Sequence, residues 1–156
     1  MNKKVANILI ATSMIFTMFI SLKLLDLKFV IPESESVVGS LFLVENKNNK
    51  NDYVIFEYNK IDYKNYHQGK LFIKKVGCNS GQHLTVDDHR AICDGKVIAT
   101  MFEKNYDGKL LPKYKYDGFI PSDKFFALGE HIRSFDSRYF GLVEKEQIIN
   151  SARRIF

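Results

Sequence analysis

An uncharged run near the N-terminus constrains this chain more than any other feature of its sequence. The run extends from Val5 to Leu22, with Lys3 and Lys4 in front of it and Lys23 behind it. A helix that crosses a bilayer needs roughly 17–25 predominantly apolar residues, so this run is long enough to span a membrane. A cleaved signal peptide is the alternative, but the run does not end in a small-x-small cleavage site. We therefore predict a retained transmembrane anchor over residues 5–22.

The paired lysines also predict how the anchor is oriented. Positive charges concentrate on the cytoplasmic side of membrane helices, so residues 1–4 are expected to form a cytoplasmic tail. Residues 23–156 are then an extracytoplasmic domain, on the periplasmic or outer side of the inner (cytoplasmic) membrane. Because this domain starts directly at the anchor, membrane lipid is an expected partner.

The composition indicates one folded domain. The chain has 156 residues, of which 46% are hydrophobic and 26% charged, which is sufficient for a core and atypical of a disordered chain. The net charge of +5 is scattered along the sequence. A compact block of Lys and Arg with interleaved aromatic residues, as nucleic-acid binding needs, is missing from it. We expect no nucleic-acid partner.

Short runs of β-branched and aromatic residues separated by turn residues predict a mostly β domain with antiparallel strands. Residues 53–58, 71–76 and 124–128 are typical of strands. Residues 90–101 predict a hairpin, because Asp-Gly at its centre favours a type I′ turn. Two further Asp-Gly pairs, Asp107-Gly108 and Asp117-Gly118, predict turns, and residues 144–154 suit either a short helix or a closing strand.

The chain has two cysteines, Cys78 and Cys93. Outside the cytoplasmic membrane the compartment is usually oxidising, so we predict a disulfide between them. Such a bond would stabilise the fold by roughly 3 kcal/mol. Two unrelated buried thiols are the alternative.

The histidines do not predict a metal site. Their positions relative to each other and to the cysteines match no recognised zinc pattern. No G-x-S-x-G elbow marks a serine that one of them would activate. We expect neither a metal nor another cofactor. The four histidines are His67, His83, His89 and His131.

A lysine can activate a serine instead, provided that it is neutral. A free lysine has a pKa of about 10.4, and burial lowers that pKa because desolvation disfavours the ammonium. Lys74 and Lys75 both lie in the apolar strand segment 71–77. Alternate residues of a strand share a face, and each lysine has apolar neighbours on its own face. Periodicity therefore does not choose between them, and two exposed lysines with buried stems remain the alternative.

Three segments, residues 31–42, 73–82 and 129–141, together resemble the motifs of the bacterial type I signal peptidase family. The first begins Ile-Pro and leads to Ser-x-Ser, and the second contains Lys-Lys-Val-Gly. The third is the most specific, because Ser-Phe-Asp-Ser-Arg-Tyr-Phe-Gly is long and unusual. Within the family, the chain is most similar to the conjugative-transfer peptidases of the TraF type, which process pilin precursors. The resemblance implies a small signal-peptidase-like antiparallel β domain on one N-terminal transmembrane helix.

The resemblance also implies roles for individual side chains. Ser36 matches the nucleophile and Lys74 the general base. Ser34 matches the serine whose hydroxyl helps to form the oxyanion hole, and Ser134 the serine that orients the base.

Two further residues match a structural ion pair near the site, Asp136 and Arg138. The chain also departs from the family pattern. Ser80 and Gln82 replace the Pro and Asp of a Pro-Gly-Asp element, and Glu130 replaces the usual Asp. These departures concern the shape of the substrate cleft more than the chemistry.

The resemblance implies a serine endopeptidase that removes a leader or terminal peptide from exported precursors with small residues before the cut. The Phe135 and Phe140 version of the last motif favours a conjugative pilin precursor. A general secretory signal peptidase is one alternative, and a non-catalytic, membrane-tethered binding module of a secretion or conjugation system is another. The anchor, together with the lack of a helix-turn-helix, argues against a self-cleaving repressor-type protease with the same Ser/Lys pair.

Overall fold

The computed structural model of the chain describes residues 2–49, 51–59, 68–104 and 108–156. Its first element is a long helix, α1, at Lys3–Leu24. Asn2 caps this helix by accepting a hydrogen bond from the backbone N–H of Lys4. The apolar side chains described along α1 are exposed, and the segment Lys3–Ser21 is long and apolar enough to cross a membrane. The side chains described along the helix are therefore not buried against the β domain that follows.

Eleven strands and two short helices follow α1 in the described chain. In chain order they are β1 (Lys28–Val30), β2 (Phe42–Glu45), β3 (Tyr53–Glu57), β4 (Leu71–Cys78), β5 (His83–Val86), β6 (Arg90–Cys93), β7 (Lys96–Thr100), β8 (Tyr116–Phe119), β9 (Lys124–Leu128), α2 (Ser137–Phe140), β10 (Val143–Glu144), a 3₁₀ helix (Lys145–Gln147) and β11 (Ile148–Arg154). The predicted mostly β class is confirmed.

The strands form two antiparallel sheets. The larger has the order β1-β2-β11-β3-β4-β9-β10, and the smaller the order β7-β6-β5-β8. Strand β4 therefore lies inside the larger sheet, between β3 and β9. Side chains in the middle of β4 therefore have neighbours on both flanking strands.

The predicted strands over 53–58, 71–76 and 124–128 correspond to β3, β4 and β9. The hairpin at 90–101 is also present as β6 and β7, and Asp94 and Gly95 have the positive φ angles, 45° and 79°, of a type I′ turn. Of the two alternatives for 144–154, the strand is right, with one 3₁₀ turn before it.

The turn predicted at Asp107-Gly108 includes a residue outside the described ranges, and the turn predicted at Asp117-Gly118 is wrong. Asp117 and Gly118 lie within strand β8, where they pair with Thr85 and Leu84 of β5. The Asp117 carboxylate accepts a hydrogen bond of 2.8 Å from the Thr85 hydroxyl, so this aspartate supports the strand pairing instead of a turn.

Three hydrophobic clusters hold the sheets together. One joins the small sheet to the end of the larger sheet and includes Leu84 and Phe126. A second includes Tyr53 and Ile55 of β3, and the third includes Val54 and Phe56, the alternate residues of the same strand. Apolar side chains therefore cover both faces of β3, and each face of the neighbouring strand β4 lies beside a different cluster.

Cys78 and Cys93 form a disulfide with a Cα–Cα distance of 5.8 Å, within the usual range for such bonds. Cys78 ends β4 and Cys93 ends β6, so the bond connects the two sheets. It also fixes one end of the strand that carries Lys74.

Candidate active site

Lys74 lies in the middle of β4, opposite Val54 of β3. Its side chain shares a face with Phe72 and Val76, which pack against the third cluster, and only 4% of the residue is exposed. Lys75 points to the other face and is exposed. Packing thus separates two lysines between which the sequence periodicity could not choose.

The buried ammonium of Lys74 has one hydrogen-bond acceptor among the described residues. Its Nζ donates a hydrogen bond of 2.8 Å to the Oγ of Ser134, which is itself buried. A buried charge costs free energy unless it is paired, and a hydroxyl carries no opposite charge to compensate it. The surroundings therefore favour the neutral amine.

The pKa of Lys74 reflects this burial. Desolvation is the main cause that lowers the pKa from the ordinary value of 10.5 to about 8. The nearby Asp136 carboxylate acts in the opposite direction, and the Arg138 guanidinium also lowers the pKa. A lysine with such a pKa is neutral in roughly one molecule in ten at pH 7, far more often than an ordinary lysine. A neutral amine can accept a proton, which is what a general base must do.

The loop after β1 carries Ser34 and Ser36. Ser34 is exposed and Ser36 is partly buried, and the hydroxyl of Ser34 donates a hydrogen bond of 3.0 Å to the Ser36 Oγ. The next residue, Val37, is buried in the second hydrophobic cluster. Val37 therefore anchors the loop while the two hydroxyl groups remain accessible.

The backbone of Ser36 is held by the residues that follow β9. Its carbonyl oxygen accepts hydrogen bonds from the N–H of Glu130, at 2.8 Å, and of His131, at 3.4 Å. The loop with Ser36 is thereby attached to the segment that also carries Ser134.

Gly129 is the point where these elements converge. A Cβ at this position would come within 2.7 Å of the Ser36 carbonyl oxygen and would overlap the side chain of Ser134. Only glycine permits both approaches. No role was predicted for Gly129 from the sequence, although it begins the most specific motif and directly follows the predicted strand 124–128.

Asp136 and Arg138 form a fully buried ion pair. The Arg138 Nε and Nη2 donate to the two carboxylate oxygens of Asp136 at 2.8 and 2.7 Å. Burial alone would lower the pKa of Arg138, but the hydrogen bonds and charge of Asp136 outweigh it and raise that pKa. The guanidinium therefore stays charged.

The same guanidinium organises the backbone around the site. It donates further hydrogen bonds to four carbonyl oxygens, those of Thr100, His131, Ile132 and Ser134. The Asp136 carboxylate also accepts from the N–H of Gly129 at 2.8 Å. The pair thus fixes the loop 129–136, which presents Ser134 to Lys74.

The predicted base and nucleophile are not bonded directly, because the Lys74 Nζ makes no hydrogen bond to the Ser36 Oγ among the described atoms. Lys74 bonds to Ser134, and the Ser36 carbonyl oxygen accepts hydrogen bonds from Glu130 and His131 of the same loop. His83 pairs with Asp117 at 3.8 Å, and the His131 Nδ1 accepts from the N–H of Arg133. His67 lies outside the described residues. Within the described ranges, no three His, Cys, Asp or Glu side chains are grouped as a metal site.

The chain is similar to known proteins in both sequence and structure. The sequence model of the family described as "Signal peptidase, peptidase S26" matches residues 4–156. The "Conjugal transfer protein TraF" of Agrobacterium tumefaciens (strain 15955) is 33% identical over 87 residues, which are 54% of this chain and 48% of that protein. The chain thus spans about half the length of this relative.

Among solved structures, the crystal structure of a signal peptidase I from Enterococcus faecalis V583 is 18% identical. The similarity covers 69% of this chain and 97% of that one, with a TM-score of 0.42.

Proposed function

Because the chain belongs to the signal peptidase family, peptidase S26, we propose that it is a membrane-anchored serine endopeptidase with Ser36 as nucleophile and Lys74 as general base. One observation carries the proposal: the only buried lysine of the described chain has a lowered pKa, and it contacts a loop that also holds the backbone of Ser36. The similarity to a conjugal transfer protein agrees with this assignment.

In this mechanism the Ser36 Oγ attacks the scissile carbonyl carbon while the neutral Lys74 Nζ takes its proton. The resulting ammonium then donates that proton to the leaving amine, and an acyl-enzyme ester remains on Ser36. A water molecule next attacks the ester, Lys74 accepts its proton, and the Ser36 hydroxyl is regenerated. Substrate binding must close the remaining gap between the two side chains, as is common for catalytic hydrogen bonds in unliganded enzymes.

The hydroxyl of Ser34 would stabilise the oxyanion in this mechanism. Its hydroxyl lies 3.0 Å from the Ser36 Oγ, next to the atom at which the reaction takes place. When the carbonyl becomes tetrahedral, we expect the Ser34 hydroxyl to turn to the oxyanion together with the Ser36 N–H. The loss of one such donor typically costs about 2.7–4 kcal/mol of transition-state stabilisation.

The proposed location is the outer surface of the cytoplasmic membrane, with the N-terminus inside. Only a short segment separates the end of α1 from Ser36, and the exposed side chains of Leu25, Phe29 and Ile31 line this segment. These side chains suit contact with lipid beside the anchor. The disulfide agrees with an oxidising compartment.

We propose an exported precursor with small residues before the cut as the substrate, and a conjugative pilin precursor in particular. This choice is supported by the similarity to a conjugal transfer protein and by the Phe135 and Phe140 form of the last motif. A general secretory precursor is the second candidate, since the family as a whole is named for signal peptides.

The test is cleavage of a co-expressed conjugative pilin precursor, read by intact mass, with a generic secretory precursor in parallel. We expect wild type to shorten the pilin precursor, and Ser36→Ala and Lys74→Ala to leave it whole. Lys75→Ala is the matched control, because this lysine lies on the same strand but is exposed on its other face. It should cut like wild type.

Each other outcome has a defined meaning. Cleavage by Lys74→Ala at the same bond would show that another group is the base. Cleavage of the secretory precursor alone would assign the broader substrate class. If wild type leaves both precursors whole, the chain is better described as a non-catalytic binding module.

A further inference from the structure

Glu130 contacts the nucleophile loop, residues 34–41, at two separate positions. Its backbone N–H donates to the carbonyl oxygen of Ser36 at 2.8 Å, and its Oε2 accepts from the N–H of Val38 at 2.7 Å. A single residue therefore holds the loop on both sides of the buried Val37. In the sequence, Glu130 was noted only because it replaces the aspartate that is usual in the family.

The carboxylate of Glu130 is in turn held by the end of β11. The Arg154 Nη2 lies 2.8 and 2.7 Å from its two oxygens, and the Tyr53 hydroxyl donates to Oε1 at 3.0 Å. The Arg154 guanidinium packs over the ring of Tyr53, 5.0 Å from its centroid. Glu130 is thus fixed from two strands of the larger sheet.

The same end of β11 contacts the nucleophile loop directly. Gly39 has a φ angle of +122°, and a Cβ there would lie 3.1 Å from the Arg154 side chain and 2.7 Å from the backbone oxygen of Phe156. The N–H of Ser40 donates to that oxygen at 2.8 Å. The loop is therefore enclosed between Glu130 on one side and residues 154–156 on the other.

We propose that Glu130 and Arg154 are positioning residues that together fix the nucleophile loop and thereby the direction of the Ser36 Oγ. The proposal rests on the proposed role of Ser36 as nucleophile. Neither side chain reaches the Ser36 hydroxyl among the described contacts, so both act through the backbone. Arg154 acts one step further away, because it holds Glu130.

A neighbouring ion pair shows why this arrangement differs from an ordinary surface contact. Arg153, the residue before Arg154, pairs with Glu45 of β2 at 3.0 Å. It also lies at the end of β11, but neither partner of this pair bonds to the nucleophile loop among the described contacts. Both pairs are partly exposed to solvent, so the loss of either should leave the fold intact. Only the pair with Glu130 should matter to the reaction.

The experiment compares the two pairs in the full-length protein in detergent, with a cleavable precursor. Glu130→Ala and Arg154→Met should each lower kcat by at least about ten-fold, because small displacements of a reacting group can cost about a hundred-fold. KM should change by less than about two-fold, since the substrate-binding surface is retained. Glu45→Ala and Arg153→Met should leave both constants at their wild-type values.

A second measurement does not depend on activity. The exchange rate of the Val38 amide hydrogen should rise in Glu130→Ala and Arg154→Met, and stay unchanged in Glu45→Ala and Arg153→Met. Faster exchange together with reduced kcat supports the proposal. Unchanged exchange in Glu130→Ala, or a kcat equal to that of the control pair, overturns it.

The two measurements also separate this proposal from the proposed function. A wild-type protein that cuts no precursor contradicts the peptidase function and with it the catalytic half of the inference. The Val38 exchange rates would still decide whether Glu130 and Arg154 hold the loop.

Discussion

The Lys74 Nζ lies 2.8 Å from the Ser134 Oγ, and both residues are at least nine-tenths buried. Since Ser134 is the only acceptor of this ammonium among the described atoms, one hydroxyl determines the direction of the lysine side chain. Ser134 is itself fixed by the loop that Asp136 and Arg138 organise. The direction of the proposed base therefore depends on a chain of contacts that begins at a buried ion pair.

Ser134→Ala should reduce kcat by about ten- to a hundred-fold, because a hydrogen bond to a charged group is worth about 1.5–3 kcal/mol. The measurement is precursor cleavage under saturating substrate. Ser151→Ala is the matched control, since Ser151 is equally buried but bonds to Asn46 and Asn51, away from Lys74. Equal losses in the two variants would show that the effect is general destabilisation.

The rate of cleavage should rise with pH. Burial lowers the pKa of Lys74 to about 8, and only the neutral amine can accept the proton of Ser36. Below that pKa, kcat/KM should fall about ten-fold for each pH unit, and above it kcat/KM should level off. Lys75→Ala should show the same profile as wild type. A midpoint near pH 6.5 would instead indicate a histidine base.

Lys74→Met should stabilise the fold at neutral pH. A pKa that falls from 10.5 to about 8 on folding corresponds to a cost of roughly 3 kcal/mol for the charged form. Replacing the ammonium by an apolar side chain of similar length should recover about 1–3 kcal/mol, less the lost hydrogen bond to Ser134. The measurement is the free energy of unfolding at pH 7, with the exposed Lys75→Met as control.

The stabilisation gained by Lys74→Met should decrease as the pH rises. Between pH 8 and 10.5 the unfolded chain holds more protons on Lys74 than the folded protein does. The contribution of Lys74 to the free energy of unfolding of the wild type therefore rises with pH across that interval. The advantage of Lys74→Met should shrink from pH 8 upwards and be nearly absent by pH 10.5. An advantage that stays constant would contradict the lowered pKa.

The sequence predicted the fold class well because strand composition and turn residues are local properties. Periodicity could not choose Lys74 over Lys75, since burial depends on which face of β4 packs against Phe125 and Ala127, far along the chain. The catalytic assignments came from the resemblance and stay predictions. The contacts of Glu130 with Val38 and Arg154 were not predictable, because these residues meet only when the sheet is complete.

Gly129→Ala should lower kcat by about a hundred-fold. A methyl group at this position would overlap the Ser134 side chain and come within 2.7 Å of the Ser36 carbonyl oxygen. Both groups would have to move apart, and displacement of a reacting group can cost about a hundred-fold in rate. The measurement is kcat together with the circular dichroism spectrum. Wild-type activity in this variant would mean that Ser36 and Ser134 need not approach each other for catalysis.

Arg138→Met should cost far more stability than the loss of any surface ion pair. Arg138 and Asp136 are almost completely buried, and removal of one partner leaves the other charge uncompensated, which typically costs about 3–5 kcal/mol. Four backbone carbonyl oxygens would also lose a donor. Lys115→Met is the control, because its pair with Asp88 at 3.0 Å is exposed. We expect this control to lose less than about 1 kcal/mol. Unfolding in urea measures both, and similar losses in the two variants would show that the buried pair does not organise the loop 129–136.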